Sequence, residues 1–327
     1  MMMESNSEPR TRLDKNFFKV PQSRSAGELF SLFELIFADD TALCSHKQEN
    51  LQKAVQVFSE VSSCFGLKVS VKKTEVMIQR AKTEQQQNTP IIKLDETPLK
   101  ICQQFKYLGS VISDDTLISK EIQSRITKAK AAFSKLYQRV WCRNQLSLKT
   151  KISVYRTMIL PIITQDCETW HLSYSQFKKL EGCQYKFLRT ICNKKWSDFV
   201  HYTELFDLLH QKDIFVPSLE VLIRKRRLTY FHQILNMDNS RLVKKVIFSD
   251  AVEGKQKRGR PLLSWRQCIK QDLKKFRLEH TLLTDTYNPN DVQFQLENNF
   301  LTADTIWKEE KKARRHAKHR NLNFILL

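Results

Sequence analysis

From Ile118 onward, apolar residues return every three or four positions, at Ile118, Ile122, Ile126, Ala129, Phe133, Leu136 and Val140. This spacing lays one apolar stripe along a helix, and Lys120, Arg125, Lys128, Lys130, Lys135 and Arg139 fall on its other faces. The same period predicts a second helix from Ser147 that stops before Pro161, a third from about Ser175 to Ile191, and a fourth after Pro217. With only 6 Gly and 8 Pro among 327 residues, the chain lacks the turn residues of a sandwich or barrel and suits long helices. No internal repeat of fixed period is visible, which argues against a solenoid.

Ahead of these helices the pattern changes. Leu29 to Phe37 and Thr41 to Cys44 are apolar runs on either side of Asp39 and Asp40, a pattern that predicts a β-hairpin. Ser45 with Gln48 reads as a capping box opening a helix whose stripe is Leu51, Ala54, Val55, Phe58, Val61 and Phe65. Gly66 suits the left-handed residue that closes it. Leu67 to Val71 alternates as a half-buried strand, and Val76 to Ile78 follows. Ile91 to Ile101 predicts a small hairpin turning at Asp95 to Pro98, and Phe105 to Gly109 leads into another short strand. The fold class expected is α+β. The domain reading is a poorly ordered polar leader over 1–28, a first α+β segment over 29–79, a loop and connecting β-hairpin over 80–116, a helical region over 117–215, and a basic helical region over 216–327.

Lys and Arg outnumber Asp and Glu by 55 to 35, a net charge of +20, so an anionic polymer or an anionic membrane is the natural partner. No run approaches the roughly 20 apolar residues that span a bilayer, and Met1 to Arg10 is polar, so a soluble protein of the nucleus or cytoplasm without a membrane partner is expected. The 8 cysteines include no close pair and read as reduced thiols. Cys167, His171, Cys183 and Cys192 lack the spacing that nucleates a zinc site, so no zinc is expected. The densest basic runs are Arg224-Lys225-Arg226-Arg227, Lys255 to Pro261 and Lys311 to Arg320. Among them Arg224, Lys225, Arg226, Arg227, Lys257, Arg258 and Arg260 are the candidate phosphate contacts. Arg258-Gly259-Arg260-Pro261 also matches the core of an AT-hook, although a linker turn is the simpler reading. Trp170, Trp196, Trp265 and Trp307 are either base-stacking groups or, more simply, core residues.

Taken together, Phe37-Ala38-Asp39-Asp40-Thr41-Ala42-Leu43, Phe65-Gly66-Leu67 to Lys73-Thr74, Phe105-Lys106-Tyr107-Leu108-Gly109, Leu160-Pro161, Cys167-Glu168-Thr169-Trp170 and Asn193-Lys194-Lys195-Trp196 stand in a familiar order. They resemble the end of the palm, the primer-grip-like hairpin, the thumb and the post-thumb of non-LTR (LINE; RTE/CR1-like) retrotransposon reverse transcriptases. The resemblance implies an RNA-directed DNA polymerase ancestry. By it Asp39 is a metal ligand, Asp40 its neighbour, and Lys73 a cation near incoming phosphates, unless Lys72 and Lys73 form an ordinary strand end. It also implies Mg²⁺ or Mn²⁺ if the chain is catalytically competent. The second metal-binding strand of that family is expected to be missing, since only Asp14 lies far enough upstream and no apolar strand surrounds it. The expectation is therefore a fragment that binds RNA and DNA but is inactive as a polymerase alone. Two alternatives stay open: an active polymerase within a longer product that supplies the rest of the palm and fingers, and a helical protein-interaction module.

Overall fold

The computed structural model describes residues 34–79, 90–248, 263–278 and 289–323. The chain divides into two compact units, with the boundary between Ser124 and Arg125. The expected leader over 1–28, the loop around 80–89, and Lys257, Arg258 and Arg260 lie outside the described residues.

The first unit opens with β1 (Glu34–Phe37) and β2 (Asp40–Leu43), an antiparallel hairpin in which Glu34 faces Leu43 and Phe37 faces Asp40. Helix α1 (Gln48–Cys64) follows. It does not start with the expected capping box. Ser45 Oγ accepts from Lys47 N at 3.2 Å, and the Gln48 amide instead donates to Ile91 O at 3.1 Å. A long-range carbonyl has taken the side chain that a local rule assigned to the cap. The helix ends as predicted: Gly66 has φ +74°, Gly66 N donates to Ser63 O at 3.0 Å and Leu67 N to Ser62 O at 2.9 Å. These two bonds are those of a Schellman motif, which needs a residue that tolerates the left-handed region.

Leu67 to Val71 is not a strand. Residues 71–73 form a turn held by Lys73 N and Thr74 N on Ser70 O, and only β3 (Glu75–Met77) is extended. Then come β4 (Lys93–Leu94), β5 (Thr97–Pro98), β6 (Lys100–Cys102), β7 (Gln104–Tyr107) and β8 (Ser110–Ser113). β4–β5 and β7–β8 are hairpins, and β3 pairs parallel with β6. The first of these turns is tighter than expected: Asp95 and Glu96 have φ +48° and +63°, and Pro98 lies already in β5. Val76, Ile92, Leu94 and Leu99 form the core of this unit, with Leu51 and Val55 of α1 against it. The far end of α1 is uncovered, with Val57 and Val61 more than half exposed.

Helix α2 (Ser119–Lys135) runs across the boundary between the two units. The predicted helix to Val140 is interrupted, because a π-turn over Tyr137–Trp141 re-aims the chain and buries Trp141. Its indole Nε1 donates to Phe133 O at 2.8 Å, and Phe133 stacks on both Trp141 and Phe187, with centroids 4.6 and 4.3 Å apart. Ser147 caps α3 (Leu148–Val154) as predicted, accepting from Thr150 N at 3.1 Å. Pro161 does not end that helical course. A π-turn over Tyr155–Ile159 leads into α4 (Leu160–Thr164), whose first turn is where a proline has no N–H to lose.

Ser173 and Gln176 cap α5 (Tyr174–Ile191) reciprocally. Beyond it, α6 (Tyr202–Gln211) precedes α7 (Leu219–Asn236), which Ser218 caps through Val221 N, and α8 (Leu242–Phe248) follows. α9 (Trp265–Lys275) and α10 (Pro289–Asn323) complete the described chain. α7 is buried on nearly every side: Leu219, Val221, Ile223, Leu228, Phe231 and Ile234 are all fully covered. The fold is mixed and mostly helical with small sheets, consistent with the α+β class. No described helix is long and apolar enough to cross a membrane.

Candidate acidic hairpin and its basic surroundings

The β1–β2 turn is built from Ala38 and Asp39, with Ala38 at φ +54°, so Asp40 is the first residue of β2 rather than part of the loop. A two-residue connection needs positive φ to match the strand twist, and an alanine there is strained by about 1–2 kcal/mol. Asp39 and Asp40 are both exposed. Among the described residues no group of three or more His, Cys, Asp or Glu is placed to hold a metal ion. Asp39 and Asp40 alone do not fit a pair of Mg²⁺ ions, which need several oxygen ligands in near-octahedral array.

The apolar flank of the hairpin is open. Leu35, Ile36 and Phe37 are 37%, 59% and 62% exposed, and β1 has only β2 as a strand neighbour among the described residues. Lys73 sits on the exposed turn over 71–73, its backbone N on Ser70 O at 3.1 Å. It is thus a turn residue and not the end of a ladder.

The basic run on α7 is drawn largely into contacts with the rest of the helical unit. Arg227 is fully buried, with Nε 2.6 Å from Asp272 Oδ2 and Nη1 donating to Trp170 O. Arg224 spans Asp272 Oδ1 at 2.5 Å and Glu220 Oε1 at 2.9 Å. Guanidiniums committed to carboxylates inside the core do not reach an external phosphate. Arg226 Nη1 donates to Thr164 O at 2.8 Å and Lys225 Nζ lies over the Phe300 ring at 4.6 Å, both half-buried. A density of positive charge in sequence marks helix α7, but most of this helix meets protein.

The start of the last basic run is also paired with carboxylates, at positions more open to solvent. Lys311 Nζ lies 2.8 Å from Glu181 Oε2, Lys312 Nζ 2.7 Å from Asp207 Oδ2, and Arg315 Nη1 2.5 Å from Glu204 Oε1. These pairs, with Trp307 Nε1 on Glu220 Oε2 at 2.8 Å and Asp304 Oδ1 on Ser218 N at 2.9 Å, seat α10 across α5, α6 and α7. Burial opposes ionisation of Glu220, but Arg224, Lys275 and the Trp307 N–H outweigh it and hold the carboxyl at about 2. At Glu181 burial wins over Lys311 and raises the carboxyl above its ordinary value.

The tryptophans divide. Trp170 and Trp307 are 2% and 1% exposed, and Trp265 Nε1 donates to Glu168 O at 2.8 Å. Trp196 is 74% exposed. Gln165 and Asp166 take up the buried Arg125: Asp166 has φ +58°, its Oδ2 is 3.0 Å from Nη2, and Gln165 Oε1 accepts from Nη1. All 8 cysteines are free. Burial pushes Cys167 up to about 12 and Cys183 up to about 11, so both are thiols at neutral pH. Reading charge by density passes over Lys194, Lys195 and Lys212, which end on no carboxylate among the described residues.

No family model matches the chain, and no solved structure does. Over 176 residues, 52% of its length, it is 26% identical to the probable RNA-directed DNA polymerase from transposon X-element of Drosophila melanogaster, 19% of which is covered. Over 221 residues, 64% of its length, it is 23% identical to the RNA-directed DNA polymerase from mobile element jockey of the same organism, 22% of which is covered. The chain spans about a fifth of the length of these curated relatives. In sequence the chain is therefore reverse-transcriptase-like, similar to the RNA-directed DNA polymerases of non-LTR retrotransposons.

Proposed function

We propose that this chain is a reverse-transcriptase-derived fragment that binds RNA and DNA mainly through their phosphates and does not polymerise by itself. In this reading residues 29–79 are part of a palm, 80–116 a primer-grip-like connection, and 117–215 a thumb-like region, followed by the basic helical part over 216–327. The observation that carries the inactive part is the exposed pair Asp39 and Asp40, with no third metal donor beside them among the described residues. One hairpin of this kind cannot distribute two divalent cations over an attacking and a leaving oxygen. The net charge of +20 and the relatives' nucleic-acid chemistry support the binding part.

Primer extension on an RNA template with Mg²⁺ or Mn²⁺ tests it. No product is expected from the chain alone, and processive product that disappears in Asp39→Ala overturns the reading. A second reading has its own support. Leu35, Ile36 and Phe37 lie open on a strand with an unpaired edge, as they would if further palm strands from a larger polypeptide covered them. In that case the same assay gives product when a polypeptide carrying the remaining palm and fingers is added, and Asp39 then acts as a metal ligand.

A further inference from the structure

The chain leaving α5 makes a fixed loop that turns two aromatic rings outward. Asn193 and Phe199 adopt φ +51° and +49°, Lys195 N donates to Asp198 Oδ2 at 2.9 Å, and Tyr185 OH donates to Val200 O at 2.6 Å. On this loop Trp196 and Phe199 are 74% and 78% exposed, with ring centroids 5.6 Å apart and planes inclined by 51°. Large rings are costly to leave in water, and here the backbone is bonded so as to keep them there.

An open cleft of about 280 Å³ begins on the same loop, lined by Asn144, Lys151, Cys192, Asn193, Lys194 and Lys212 among others. It has no acidic lining residue. Lys151 Nζ donates to Trp141 O at 2.9 Å. Lys194 and Lys212 end on no carboxylate among the described residues, unlike Lys311, Lys312 and Arg315 on α10. Both ammonium groups lie near enough to the Cys192 thiol to work against the burial that pushes it up to about 11. Lys194 and Lys212 thus line a cleft without acids, and Trp196 and Phe199 stand uncovered on the loop that leads away from it, beside Asp198.

We propose that this loop and cleft dock single-stranded nucleic acid, with a base against the Trp196–Phe199 pair and an adjoining phosphate against Lys194 and Lys212. The proposal rests on the nucleic-acid reading above and narrows it to one face of the helical unit. A duplex keeps its base faces stacked on each other, so only a single strand can use the rings. An aromatic pair accepts any base, which makes the site sequence-tolerant.

The test uses the full chain, a short fluorescein-labelled oligouridylate, anisotropy at several salt concentrations, and tryptophan emission. Trp196→Ala with Phe199→Ala is expected to weaken binding about tenfold or more without changing the salt dependence. Lys194→Gln with Lys212→Gln is expected to reduce the log–log salt slope by about 1.4. Bound oligouridylate should quench emission in the unmodified chain and leave Trp196→Phe unquenched. Trp196→Ala alone, which leaves the Phe199 backbone in place, serves where the double variant fails to fold by circular dichroism. Unchanged affinity of the aromatic variants and unaltered emission overturn this site while general nucleic-acid binding stands. Absence of any binding at low salt overturns the broader reading and this one with it. Equal binding of polyglutamate through the same rings makes the partner an acidic peptide and also overturns the proposal.

Discussion

Arg227 Nε lies 2.6 Å from Asp272 Oδ2, and the two side chains are 1% and 0% exposed. Asp272 also faces Arg224 Nη1 at 2.5 Å, so one buried carboxylate balances two guanidiniums from the same helix. Removing its charge strands Arg227 in the core and leaves Arg224 with Glu220 alone. Asp272→Asn is expected to destabilise the helical unit by about 3–5 kcal/mol, measured by urea denaturation followed by circular dichroism. Lys312→Gln, which breaks a pair whose partners are both 42% exposed, should cost less than about 1 kcal/mol. Comparable losses for the two variants would contradict the assignment of α7 to the interior.

Acid should act through Glu220. Its folded pKa, about 2, lies below that of a free glutamate. Its contribution is therefore complete above about pH 4.3 and is lost as pH falls toward the folded value. For a shift of this size it is on the order of 3 kcal/mol. Urea midpoints taken down this window should fall for the native chain and fall less steeply for Glu220→Gln. Glu181 works in the other sense, since its raised pKa favours folding at low pH and loses that contribution as pH rises through the folded value.

Gly66→Ala isolates a backbone effect. A Cβ at this position meets nothing within 4 Å, so the only penalty is the φ of +74°. The expected loss is about 1 kcal/mol, read as a lower thermal midpoint for the unit containing α1. A change within error would mean that the Schellman end of α1 is not formed in solution.

Asp39→Asn and Asp40→Asn should leave stability within about 0.5 kcal/mol of the unmodified chain, because both side chains are exposed at the hairpin tip. Urea midpoints check this. Any loss of polymerase activity that these variants cause in a completed assembly then reports chemistry rather than unfolding.

Thiol modification should sort the cysteines by the fold. Cys44, Cys64 and Cys142 are exposed and should react quickly with an aromatic disulfide reagent in the native chain. Cys167, Cys183 and Cys268 are buried, burial raises the pKa of each, and they should react only on addition of denaturant. Rapid native modification of Cys167 would show that the packing around Trp170 is open.

Much of the local structure was readable from the residues. The hairpin carrying Asp39 and Asp40, the helix end at Gly66, the cap at Ser147 and the apolar stripe of α2 depend on neighbours within a few positions, and those neighbours are visible in the chain. Where the structure departs, a distant group has intervened. Gln48 leaves the cap for Ile91 O, and Trp141 turns inward through a π-turn to stack on Phe133. Pro161 finds a helix start where its spacing suggested an end.

The fate of the charges was decided by tertiary structure alone. Arg227 and Asp272 are 45 residues apart, and Trp307 and Glu220 87. Composition determined that this chain carries a large positive excess, and motif order determined its reverse-transcriptase likeness. Neither could tell that Arg224 and Arg227 turn to a buried carboxylate while Lys212 and Trp196 stay exposed, because the partner a side chain meets depends on how helices far apart in sequence pack together.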